Sequence, residues 1–166
     1  MRVQLEFATE EQVEQIAKIW TSGWQEAHAE IVPVVLRDLR TPKSFLPRVR
    51  ANLAATCVAT NEGNILGFYM VKGRELYQMY VAKHARGSGV AQALIKDAEK
   101  RIEAAGYKTA WLACAIGNAP AVHFYKKSGW SNTGRQVVDL DTAKGAFPME
   151  VWRFEKQLYS AGAEVE

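Results

Sequence analysis

Residues 86–91 read Arg-Gly-Ser-Gly-Val-Ala and lie between a strand-like run at 76–81 and an amphipathic helical pattern at 90–105. A glycine-rich turn that opens a helix narrows what the chain can fold into. The first amides of a helix have no internal acceptors and sit at the positive end of its dipole. Glycines let an anion approach the backbone closely. The turn therefore predicts a phosphate or pyrophosphate ligand, against the plainer reading of a tight strand-to-helix connection with no ligand.

Two common phosphate motifs are excluded. No Gly-Lys-Ser/Thr follows the turn, as a P-loop requires. Gln92 stands where a dinucleotide-binding turn needs a third Gly or Ala. At 166 residues and net charge +3, the composition predicts one domain over 1–158 with a frayed tail at 159–166. The charge is too mild for a nucleic-acid partner. Its only small basic clusters are Lys126–Lys127 and Arg48/Arg50. No apolar run is long enough to span a bilayer, and the N-terminus does not read as a signal peptide. Cys57 and Cys114 read as buried reduced thiols of a cytoplasmic protein. Cys114 as a nucleophile is disfavoured, because it falls inside a strand pattern with no histidine positioned to activate it.

Periodicity supplies the order of elements. Val3, Leu5 and Phe7 alternate, predicting a half-buried first strand. Thr9 and Gln12 form a capping-box pattern, and Val13, Ile16, Ala17, Trp20 and Trp24 follow at helical spacing to about residue 24. Pro33 and Pro42 interrupt a mixed segment before a second helix over about 44–54. Strands are predicted at 56–60, 65–72 and 75–81, with a hairpin loop at 61–64. A helix over 90–105 and an apolar, central strand over 109–116 follow. Asn118 caps a short helix that ends at Gly129. Two last strands, 137–140 and 149–158, flank a loop at 142–148. The fold class is α/β with a mixed sheet, in the order β-α-α-β-β-β-α-β-α-β-β.

This order, with its motifs, resembles the GNAT superfamily of acyl-CoA-dependent N-acetyltransferases. The likeness covers nearly the whole chain and is sharpest over 75–130. The family's pyrophosphate motif, Arg/Gln-x-x-Gly-x-Gly/Ala, is matched by Arg86, Gly89 and Ala91. Tyr80-Val81 ends the preceding strand as the family often does, and Asn118, Tyr125 and Gly129-Trp130 follow in the family's order. Lys83 stands where the family often has Pro, and Trp130 where it often has Phe, which affects little beyond local loop shape. The resemblance implies a splayed central sheet, acetyl-CoA as cosubstrate, no metal, and transfer of acetyl to a primary amine by direct attack. It implies contacts to the cosubstrate from the backbone of Met79, Tyr80 and Val81, from Arg86, Gly87, Ser88, Gly89, Val90 and Ala91, and from Asn118 and Tyr125. Family members often form homodimers. The acceptor is a small-molecule amine or a protein or peptide amine, shaped by 24–47 and 143–148.

The chemistry needs a neutral amine, a donor aimed at the thioester carbonyl, and a proton for the departing thiolate. A lysine-like amine titrates near ~10.4, so presenting it neutral at pH 7 costs about 4–5 kcal/mol. A base relieves that cost. By the resemblance, Tyr125 is the general acid; read by itself it is a core aromatic beside Phe124. Glu75 is the candidate base, against a solvated charge at a strand end. Glu26, His28 and Glu30 form a second cluster that either meets a cationic amine or ends a solvated helix. His84 and His123 lack metal-ligand spacing. Trp20, Trp24 and Trp111 read as packing. Tyr69, Tyr77 and Tyr80 line either the acceptor pocket or the core. Two rival classes remain: a non-catalytic acyl-CoA-binding module, which would not need Tyr125, and a different nucleotide-phosphate binder sharing only the turn.

Overall fold

A computed structural model describes residues 2–158; the tail expected at 159–166 lies outside the described residues. The elements are β1 (Gln4–Phe7), α1 (Val13–His28), α2 (Val34–Leu39), α3 (Phe45–Ala51), β2 (Thr56–Asn61), β3 (Asn64–Lys72), β4 (Glu75–Val81), α4 (Val90–Ala104), β5 (Thr109–Ala115), α5 (Ala119–Lys127), β6 (Ser131–Thr142) and β7 (Gly145–Gln157). The seven strands form one sheet in the order β1-β2-β3-β4-β5-β7-β6. Every neighbouring pair is antiparallel except β4 with β5, which is parallel. The mixed α/β fold is as expected, with one helix more than the sequence pattern gave.

The sheet has a core on each face. On one face α1 and α3 bury Ile16, Trp20, Phe45 and Val49 against Val58, Phe68 and Met70. On the other, Leu94, Ile95, Ala98 and Ile102 of α4 cover Tyr69, Leu112 and Phe154. Each large side chain of these stripes contributes on the order of 1.5–3 kcal/mol by leaving water. The i, i+4, i+8 spacing of Leu94, Ala98 and Ile102 is why this segment packs as a helix. Trp20 takes Phe45 edge-on at 5.4 Å, which orients α1 on α3. No helix among the described residues is long and apolar enough to cross a membrane.

Several local expectations change. β1 is exposed along its length, because it is an edge strand paired only with β2. Phe7 is shielded only by the Arg101 guanidinium, 4.1 Å above its ring. Near Thr9 the capping pattern holds in part: Gln12 Oε1 accepts from the Thr9 amide at 2.9 Å. The segment expected as one helix over 44–54 is α3 between two 3-10 turns. The loop expected at 142–148 is instead the tip of a long hairpin, with Thr142 facing Gly145. Pro148 is tolerated inside β7 because pairing with β5 begins only at Val151, so that edge requires no ladder donor there.

Candidate active site

The site begins where the sheet opens. β4 and β5 meet only at Glu75 opposite Trp111, with the Trp111 amide donating to the Arg74 carbonyl at 3.1 Å. Beyond that point β4 stays with β3 as far as Val81, and β5 stays with β7 as far as Ala115. The two halves of the sheet therefore part, and a cleft of about 1160 Å³ runs between them. Ala82 donates to Leu66 at 2.8 Å. In an antiparallel ladder the direction alternates, so Tyr80 and Ala82 turn their backbone toward β3. Met79 and Val81 turn theirs toward the gap.

Register on β4 slips once: Val71 faces Leu76 but Met70 faces Gln78, leaving Tyr77 as the extra residue. The bulge swaps the faces of what precedes it. Leu76 packs under α4, whereas Tyr77 and Tyr80 lie on the α1 and α3 side. Close approach at this point needs two glycines. A Cβ on Gly67 would stand 2.7 Å from the Tyr80 carbonyl oxygen and 3.0 Å from Leu94, and one on Gly23 of α1 would stand 2.4 Å from the Tyr80 ring. Neither glycine was signalled by the sequence pattern.

Arg86 lines the cleft, and the glycine turn that follows it, with residues 87–91, lies outside the lining. Gly87 and Gly89 have φ of +76° and +87°, and the space where a Cβ would point is open at both. Gly89 is the N-cap of α4. Among the described residues the amides of Gly87, Ser88 and Gly89 have no backbone acceptor, and the Ser88 hydroxyl donates back to the Ala85 carbonyl. Free amides, open approach and a helix N-terminus suit a pyrophosphate. Arg86 is not free at the edge of this turn, as the sequence suggested. Its guanidinium donates to both carboxylate oxygens of Glu26 on α1, at 2.8 and 3.0 Å. That bond, the larger cause, and the pair's attraction lower the pKa of Glu26 and raise that of Arg86. Both side chains are about half exposed, so the pair adds little stability.

Across the gap, Asn118 caps α5 by accepting from the Ala121 amide at 3.3 Å, which leaves its NH2 group to the cleft. Tyr125, two turns further on, lines the cleft with its ring against Phe124, Trp130 and Phe154. Among the described residues its hydroxyl makes no hydrogen bond. Burial pushes the phenol above its usual value, so it holds its proton throughout the neutral range. Trp130 is an anchor: its indole N–H donates to Glu99 of α4 at 3.1 Å, and Lys156 joins the same carboxylate at 2.8 Å. Glu75 lines the floor of the cleft. Burial raises its carboxyl pKa, opposed by Lys72 and Arg153.

The second cluster separates in space. Glu26 pairs with Arg86, and Glu30 is exposed and outside the cleft. His28 lines the cleft, stacked on Trp24 at 5.5 Å. Burial lowers its pKa to about 4, only partly offset by its contact with the Trp24 carbonyl. Because the folded value lies below the ordinary 6.5, its contribution to stability is complete above pH ~6.5. It is lost as pH falls toward 4, by up to about 3 kcal/mol. His28→Phe, which keeps the stack, is expected to flatten that part of a pH–melting curve; a wild-type curve already flat there contradicts the assignment.

Trp111 is not core packing: it is half-buried, lines the cleft, and lies 4.4 Å beneath the Arg153 guanidinium. Tyr69 belongs to the core and donates to Asp97 at 2.6 Å, whereas Tyr77 and Tyr80 line the cleft. The thiols of Cys57 and Cys114 are buried and free, and burial pushes that of Cys114 up to about 11, which argues against a nucleophile. His84 and His123 are exposed, and no cluster of three metal-ligating side chains occurs among the described residues. The far wall of the cleft comes from residues 136–141 with Met149 and Val151, not from 143–148. Two arginines, buried Arg40 and half-buried Arg48, line the cleft as well. Their one sequence signal was Arg48 lying between Phe45 and Val49 on an apolar helix face.

The parted sheet and the glycine turn that opens α4 together supply a cleft and an anion cradle. The sequence profile of the acetyltransferase (GNAT) family matches residues 11–130. The chain belongs to this family of acetyl-CoA-dependent acyltransferases. The peptidyl-lysine N-acetyltransferase YjaB of Escherichia coli (strain K12) is 28% identical over 143 residues, spanning 84% of this chain and 89% of that protein. The GCN5-related N-acetyltransferase from Rhodopseudomonas palustris shares the fold, with a TM-score of 0.74 at 21% identity over 95% of this chain and 97% of that one. The PaiA N-acetyltransferase from Thermoplasma acidophilum, solved in complex with coenzyme A, has a TM-score of 0.66 at 19% identity over 95% and 99%.

Proposed function

We propose that this chain transfers an acetyl group from acetyl-CoA to a primary amine by direct attack, with both substrates held in the cleft together. The observation that carries the reading is the parting of β4 from β5, with the chain running on from β4 through Arg86 at the cleft to the unpaired amides of Gly87, Ser88 and Gly89. Acetyl-CoA supplies an activated acyl thioester. The first amides of α4, from Val90 and Ala91, extend the anion cradle, while Arg86, paired with Glu26, would bring positive charge to its rim by exchanging that carboxylate for the phosphate. The gap-facing backbone of Met79 and Val81, beside Tyr80, pairs with the pantetheine arm, and an N–H of this edge donates to the acyl oxygen. Asn118 holds the arm from the β5 side. A name of peptidyl-lysine N-acetyltransferase on one relative, and coenzyme A in a structural neighbour, support the amide chemistry and the ligand. We place the protein in the cytoplasm, because its two cysteines are free and buried.

Tyr125 acts on the leaving sulfur. A thiolate titrating near ~8.5 is a weaker base than this phenolate, so the phenol's main contribution is a hydrogen bond that strengthens as charge builds on sulfur. Glu75, made more basic by burial, takes the amine proton directly or through water. Glu75→Gln is expected to remove the acid-side fall of kcat/KM, which in the wild type sits above the ordinary carboxyl range. A variant whose pH profile matches the wild type excludes Glu75 as base. The overall reading is tested by thermal shift: acetyl-CoA should raise Tm in a concentration-dependent way, whereas ATP and NAD should not. Stabilisation equal for all three would favour a general phosphate binder.

A further inference from the structure

Arg40 follows α2 and is only 4% exposed. Arg48 lies on α3 with its guanidinium 4.1 Å over the Trp20 ring. Both line the cleft on the α1 and α3 side, opposite the glycine turn's helix α4. Arg40 donates through Nη1 to the Asp141 backbone carbonyl. Arg48 reaches only the Tyr77 hydroxyl, at 3.4 Å through Nη2. Among the described residues the Arg40 Nε and the Arg48 Nε and Nη1 are buried without a hydrogen-bond partner. Neither guanidinium forms an ion pair with a carboxylate among the described residues. Burial, and the neighbouring Arg48, lower the Arg40 pKa to about 10, so it stays charged at neutral pH.

Two like charges lining one cleft, with buried donors to spare, are unfavourable unless an anion joins them. A forked guanidinium matches a carboxylate in geometry as well as charge. The tyrosine at the β4 bulge, Tyr77, brings Arg48 to the same strand that carries Glu75. We propose that the acceptor is a small amine that also carries a carboxylate, held by Arg40 and Arg48 while its amino group faces Glu75. The inference rests on the acetyltransferase reading and names the substrate class of that site.

The test uses matched acceptors: α-amino acids, their α-amides, the corresponding decarboxylated amines, and a lysine-containing peptide with blocked termini. CoA release with acetyl-CoA gives turnover, and calorimetry on the CoA-bound protein gives acceptor affinity. The carboxylate members should exceed their amides in kcat/KM by about 100-fold, the discrimination expected of a buried polar site left unpaired. Arg40→Gln and Arg48→Met should each erase most of that ratio through KM and preserve the Tm rise with acetyl-CoA. Arg40→Lys should recover only part of it. If either variant fails to fold, the wild-type ratio alone decides. Equal use of acids and amides, preference for the peptide or the decarboxylated amines, or neither turnover nor binding of any carboxylate member, overturns the proposal. Loss of the acetyl-CoA effect itself would instead overturn the acetyltransferase reading.

Discussion

Tyr125→Phe is expected to lower kcat by about 100-fold while acetyl-CoA affinity and Tm stay close to wild type. That loss corresponds to roughly 2.7 kcal/mol of transition-state stabilisation. The separation follows from the surroundings of the side chain. The ring makes the packing contacts, with Phe124, Trp130 and Phe154, and phenylalanine keeps them all. The hydroxyl has no hydrogen-bond partner among the described residues, so its removal leaves no protein group unsatisfied. A purely structural Tyr125 would give unchanged turnover. An acid or hydrogen-bond donor toward the leaving sulfur gives slow turnover from an intact cleft. Steady-state kinetics together with calorimetric acetyl-CoA binding checks both halves of this expectation.

Gly67→Ala is expected to destabilise the fold by about 2–4 kcal/mol, a Tm loss on the order of 5–12 °C for a domain of this size. The added methyl would meet the Tyr80 carbonyl oxygen at 2.7 Å, a backbone atom that cannot swing away. It would also press Leu94, which α4 uses to pack on the sheet. Relief must come from moving β4 at Tyr80 and Val81, or α4 at its first turns. Both movements displace the gap-facing backbone and the glycine turn. Weaker acetyl-CoA binding should therefore accompany the lower Tm, measured by thermal shift with and without ligand. A wild-type Tm would show that the sheet tolerates the methyl and that the close packing here is not required.

What was legible in the sequence, and what was not, divides along physical lines. The glycine turn and α4 were legible because positive φ demands glycine and a buried helical stripe demands a 3.6-residue period. The Asn118 cap was legible because Asn precedes Ala-Pro at a helix start. α2 escaped because its six residues show no apolar stripe: Val34 and Val35 are exposed and only Leu36 is buried. The length of the last hairpin escaped because Pro148 reads as a breaker until it is known that β5 does not reach it. Trp111 was misread as core because strand alternation cannot say where two strands part. Gly23 and Gly67 carry φ values open to any residue, so only the three-dimensional approach of Tyr80 reveals them. The two cleft arginines left no linear trace beyond one charge on an apolar face.

The central claim is that this cleft moves an acetyl group from acetyl-CoA to an amine. The most direct measurement mixes the protein with acetyl-CoA and pooled amines, and follows free CoA thiol and N-acetylated product in the same reaction. The expected result is one acetylated amine for each thiol released, at a rate proportional to protein and reduced about 100-fold in Tyr125→Phe. Thiol release without any acetylated amine, or no release from any pool although acetyl-CoA binds, would contradict it.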